Sequence, residues 1–133
     1  MPFVRHALVI TAALSLVSIA GASAQPAAPT VVNVELSDYK FTPKVVQLSQ
    51  GQTYRLHLTN SSNMLHGLEA KAFFETVTLA GWSAGSVQKG EVAVWPGRWV
   101  DVDLTPKTTG EYEMHSPYPM NEMLGMKGEI VVH

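Results

Sequence analysis

Four methionines, Met114, Met120, Met123 and Met126, fall within thirteen residues near the end of the chain, with His115 among them. A further methionine, Met64, stands two residues before His66. Thioether sulfur is a soft donor that prefers Cu(I), and imidazole suits both oxidation states of copper. Mixed Met and His clusters can therefore hold copper without a thiolate. Methionine is also an adaptable core filler, and the i, i+3, i+6 spacing of Met120, Met123 and Met126 suits one packed face. Residue type alone leaves both roles open.

Other chemistries are excluded more firmly. The 133 residues contain no cysteine, which removes disulfides, thiol catalysis, thiolate zinc sites and iron–sulfur ligation. The sequence has no Gly-rich phosphate loop, no H-E-x-x-H and no G-x-S-x-G. His115 and Ser116 are neighbours, but strand neighbours point to opposite faces and cannot form a nucleophile–base pair. None of these constellations marks an enzyme.

The elements that must position these residues read as short strands. Val31–Leu36 and Lys44–Ser49 are rich in β-branched residues. Gln52–Asn60 alternates, with Tyr54, Leu56 and Leu58 on one face and Arg55, His57 and Thr59 on the other, so His57 is expected on a solvated surface. Arg98–Leu104 alternates likewise, placing Asp101 and Asp103 outward and solvated. Pro96-Gly97 before it fits the middle of a type II turn, with Trp95 and Trp99 packing around that turn. His66–Ala72, Glu91–Trp95, Glu111–Ser116 and Lys127–Val132 complete the set, and Phe73–Gly90 reads as an irregular excursion with a short strand around Thr76–Leu79. About eight strands and no convincing amphipathic helix predict an all-β Greek-key sandwich or barrel.

The end of the chain reads Gly110-Glu-Tyr112-Glu-Met-His-Ser116, then a loop, then Gly125-Met126-Lys-Gly128-Glu-Ile-Val-Val132. It resembles the end of a cupredoxin, where a strand of the form G-x-Y-x-x-x-C leads to a histidine-bearing ligand loop and then G-M-x-G-x-I-x-V. Asn60-Ser-Ser-Asn-Met-Leu-His66-Gly67 is similar to the segment that brings the family's first histidine ligand. Phe41-Thr-Pro43, Val45 and Gly51-Gln52-Thr53 resemble its opening strands. The resemblance covers essentially all of Val31–His133.

Two positions depart from the pattern. Counted from Tyr112, the thiolate position falls on Ser116, and the loop Pro117–Leu124 holds no histidine. A blue site needs a thiolate, two imidazoles and a weak axial Met, so the resemblance implies a copper protein that is not an ordinary blue electron carrier. It implies His66 and Met126 as the retained ligands, with Met120 or Met123 in the place of the lost histidine. His115 joins them only where its strand bulges or ends, because alternation sets it on the face opposite Met114 and Ser116. His57, on an outward face, and His133, at the end of the chain, are not expected to be ligands.

The function implied is capture, storage or hand-over of copper, with Cu(I) favoured, Cu(II) admitted, and a metal donor or acceptor protein as partner. His66-Gly-Leu-Glu69-Ala-Lys-Ala-Phe73-Phe74 is also similar to a segment of small cupredoxin-like proteins encoded with periplasmic iron-uptake systems. That likeness, with Glu69 and Glu122 as hard ligands, makes the alternative an accessory protein of periplasmic ferrous-iron uptake that oxidises or passes on iron. A metal-free interaction module is the third reading.

The start of the chain sets the expected compartment. Arg5 and His6 precede an apolar run, Ala7–Ala20, and Ala22-Ser23-Ala24 supplies small residues for cleavage after Ala24. The run is shorter than the roughly 20 apolar residues of a membrane anchor. A signal peptide (1–24), a flexible lead (25–30) and one periplasmic domain (31–133) follow, with no membrane span after cleavage. Loss of Arg5 leaves eight basic against eleven acidic residues, a formal charge of −3. The charges are scattered and form no basic stripe, which argues against nucleic acid as a partner.

Overall fold

The computed structural model describes residues 21–23 and 26–133. The apolar run Ala7–Ala20 and the junction after Ala24 lie outside the described residues. Pro26–Pro29 joins no element, and the first strand, β1 (Thr30–Ser37), follows it directly.

Ten strands form two five-stranded sheets. In the first, β1 lies between β2 (Lys40–Thr42) and β4 (Tyr54–Asn60), followed by β8 (Trp99–Pro106) and β6 (Val77–Leu79). In the second, the order is β3 (Val45–Leu48), β10 (Lys127–Val132), β9 (Gly110–His115), β5 (His66–Glu69) and β7 (Glu91–Val94). Pairing is antiparallel except for β1 with β4 and β3 with β10. The chain passes repeatedly from one sheet to the other, giving the expected all-β sandwich. Ten strands appear where about eight were expected; β2, only three residues long, is too short to show a period.

Alternation decides what lies between the sheets. From β4, Tyr54, Leu56, Leu58 and Asn60 point inward. Val102 and Leu104 join them from β8, and Val46, Leu48, Leu68, Val92 and Ile130 face them from the other sheet. Phe73 and Phe74, on the short helix α1 (Lys71–Phe74), close one side, with Phe73 edge-on to Tyr112 at 5.6 Å. Each fully buried side chain of this kind contributes about 1.5–3 kcal/mol. Without a disulfide, this core holds the domain.

Three expectations about outward residues need correction. Asp103 is buried rather than solvated. The 3-10 turn Gly81–Ser83 lies over it, and the Asp103 backbone N–H donates to Ser83 Oγ at 2.8 Å. His57 and Asp101 are half-buried and paired at 2.6 Å. Trp95 and Trp99 remain largely exposed instead of packing. The turn between them is as expected: Arg98 N–H donates to Trp95 C=O at 3.0 Å, and Gly97 takes the positive φ of 67° that a type II turn requires.

Candidate metal centre

One end of the sandwich gathers the residues of interest. The segment leading to His66 is fixed by Asn60, the last residue of β4. Its buried amide donates to the carbonyls of Met64 and Val94, each at 2.8 Å, and accepts from the N–H and hydroxyl of Ser62. His66 then opens β5 opposite Val94 and is fully buried. Gly67 follows because the next loop lies directly against β5: a Cβ there would stand 2.8 Å from Pro117 Cγ.

That loop, from Ser116 to Met126, is closed on itself. Ser116 N–H donates to Met126 C=O at 3.0 Å, and Met126 N–H donates to Asn121 C=O at 3.0 Å. Tyr118 N–H donates to Ser116 Oγ at 3.2 Å. Pro119, preset for a first helical position, starts the short helix α2 (Pro119–Met123). Burial, and secondarily the charge of Glu91, pushes the Tyr118 phenol above its ordinary range.

Helix α2 turns Asn121 inward and leaves Met120 and Met123 outside, 67% and 83% exposed. The Asn121 amide stands 3.2 Å from His66 Nδ1. The other ring nitrogen, Nε2, is buried without a hydrogen-bond partner, with Asp38 Oδ1 at 3.5 Å. Met126 and Ser116 are buried at the two ends of the loop, and Met114 is buried on β9. His115 takes the opposite face of β9, half-buried, its Nδ1 3.0 Å from the Ser116 carbonyl.

The structure thus brings His66, Met126, Ser116 and Asn121 to one end, with Met64, Met120 and Met123 exposed on the adjoining segments. The side chain that meets His66 is Asn121, which the sequence reading passed over in favour of its methionine neighbours. Glu69 and Glu122 lie near lysines instead, Lys71 at 2.9 Å and Lys127 at 3.8 Å. Among the described residues no group of three His, Cys, Asp or Glu side chains could hold a metal ion. The nitrogen and sulfur donors at this end are one imidazole and thioethers, beside the Asn121 amide, the Ser116 hydroxyl and the Asp38 carboxylate.

A sequence profile of the cupredoxin-like domain matches residues 7–132. The chain belongs to the cupredoxin-like family. No match was found among curated proteins. Among solved structures, this cupredoxin-like domain is similar to the dithionite-reduced auracyanin of Roseiflexus castenholzii, at 18% identity and TM-score 0.59, over 80% of this chain and 99% of that one. Auracyanin A, a "blue" copper protein of Chloroflexus aurantiacus, matches at 18% identity and TM-score 0.58, over 80% and 100%. The multicopper oxidase of Campylobacter jejuni matches at 15% identity and TM-score 0.61, over 82% of this chain but 31% of that one. At these identities the likeness establishes the cupredoxin-like fold.

Proposed function

We propose that this cupredoxin-like protein is exported to the periplasm and there binds copper as cargo, captured as Cu(I) and handed to a partner protein. The observation that carries this reading is His66: an imidazole fully buried, poorly satisfied, and turned into a loop that ends at Met126. A buried Nε2 without a hydrogen-bond partner costs about 1–3 kcal/mol, so packing alone does not explain the ring, and Nδ1, facing the loop through Asn121, is the atom open to a metal.

The blue donor set does not fit. Ser116 offers a hydroxyl in place of a thiolate, and Asn121 offers an amide in place of the second imidazole. One imidazole with thioethers does fit a soft ion of low coordination number. Exposed Met120, Met123 and Met64 provide soft donors at the surface, where an ion could be taken up and released. His66 and Met126 are the buried ligands in this reading. Among the described residues no helix is long and apolar enough to cross a membrane.

The test is a titration of the purified protein with Cu(I), Cu(II) and Fe(II), each followed by gel filtration. Retention of Cu(I), without blue colour on oxidation, is the expected result. Retention of Fe(II) alone would favour the iron-uptake alternative, and retention of nothing would leave the metal-free module.

A further inference from the structure

We propose that Asp38 is a positioning residue for His66, holding the ring in the tautomer that carries its proton on Nε2 and turns the Nδ1 lone pair toward the loop that carries Asn121. The purpose of this arrangement rests on the copper reading; its geometry does not.

A neutral imidazole has one N–H and one lone pair. The two edges of the His66 ring face different groups: Nδ1 faces the Asn121 amide at 3.2 Å and Nε2 faces the Asp38 carboxylate at 3.5 Å. The amide can present either its oxygen or its NH2, so Asn121 accommodates both tautomers. The carboxylate is acceptor-only. With the proton on Nδ1, a buried lone pair on Nε2 would face a carboxylate with no donor between them. With the proton on Nε2, that edge meets an acceptor and Nδ1 accepts from Asn121. Asp38 is therefore the group that selects.

Asp38 is brought there by a disfavoured backbone. Asp38 and Tyr39 form the two-residue link between β1 and β2, whose flanking residues Ser37 and Lys40 are paired. Tyr39 takes φ 62°, a left-handed conformation that a side chain with a Cβ adopts at a cost. Such conformations persist where the surrounding structure requires them. A carboxylate on the far nitrogen of a ligating imidazole fixes its orientation and raises its basicity.

Long-range proton–nitrogen correlation NMR reads the tautomer of each histidine ring in the metal-free, nitrogen-15-labelled protein. The His66 signals are assigned by their absence from His66→Leu. The parent should show His66 protonated on Nε2. Asp38→Ala should move a large part of the population to the Nδ1-protonated form. Asp38→Asn, whose amide oxygen still accepts, should stay like the parent. Cu(I) affinity should fall about 10- to 100-fold in Asp38→Ala and be largely retained in Asp38→Asn. A parent ring protonated on Nδ1, or unchanged tautomers in Asp38→Ala, overturns the proposal. A protein that binds no Cu(I) but whose tautomer follows Asp38 overturns the copper reading and leaves the positioning role standing.

Discussion

His57 and His66 lie in opposite sheets and are built in opposite ways. His57, half-buried on β4, has the Asp101 carboxylate 2.6 Å from its Nδ1. Beside it Arg55 donates twice to Asp103, at 2.7 and 2.9 Å, and packs over the Trp82 ring at 5.5 Å. The hydrogen bond to Asp103 holds the Arg55 guanidinium above its ordinary range, against the opposing effect of desolvation. Every one of these groups meets a partner it prefers. His66 is more deeply buried than any of them and has only an amide at 3.2 Å and a carboxylate at 3.5 Å. Of the two histidines, the one on β4 is satisfied by the fold, whereas His66, like Ser37 Oγ, keeps a buried polar atom without a hydrogen-bond partner.

The comparison is sharpened most by rebuilding the missing donors. Ser116→Cys combined with Asn121→His supplies a thiolate and a second imidazole beside His66 and Met126. With Cu(II) this variant should turn intensely blue, as a His2Cys site with axial Met does, while the parent stays pale. A colourless double variant, checked by absorption spectroscopy, would show that these four positions do not converge on one ion. His66→Leu comes next. It replaces a poorly satisfied polar ring by an apolar side chain, so the metal-free melting temperature should hold or rise. The stabilisation by Cu(I), about 2.7 kcal/mol at a hundredfold excess over Kd, should vanish. Equal Cu(I) stabilisation in variant and parent would remove His66 from the site.

Met126→Leu preserves volume and should cost less than about 1.5 kcal/mol in the metal-free protein, while Cu(I) affinity weakens measurably in a competition titration. Unchanged affinity would make Met126 a packing residue. Met120→Leu and Met123→Leu, at exposed positions, should change stability by no more than about 0.5 kcal/mol, with a smaller loss of affinity than Met126→Leu. The smallest effect belongs to the opposite sheet. His57→Gln removes a partly exposed hydrogen bond to Asp101, worth about 0.5–1.5 kcal/mol, and should leave Cu(I) retention untouched. Lost retention there would break the contrast between the two histidines.

The strands were legible because β4 and β8 alternate without interruption and the turn before β8 carries Pro96-Gly97. The end of the chain was legible through motif, since Tyr112, Met126 and Gly128 keep a recognisable spacing. Alternation, however, reports only which side of a strand a residue takes. It could not show that Gly81–Ser83 covers the outer face and buries Asp103. It could not show that the two residues linking β1 to β2 carry Asp38 to His66, because that contact joins segments distant in sequence. Asn121 escaped for a simpler reason: in a loop rich in thioethers, the methionines drew the assignment, and which side of a five-residue helix faces inward is a tertiary matter.

The pairing of β10 between β3 and β9 has a consequence for the order in which the protein comes into being. The second sheet lacks an interior strand until residues 127–132 are available, and the loop from Ser116 to Met126 is anchored only when β9 and β10 have met. Long-range pairings of this kind are late and slow to form. A chain whose last strand is not yet paired therefore carries His66 without the anchored loop that places Asn121 against it. The surroundings of His66 are thus a property of the finished molecule alone.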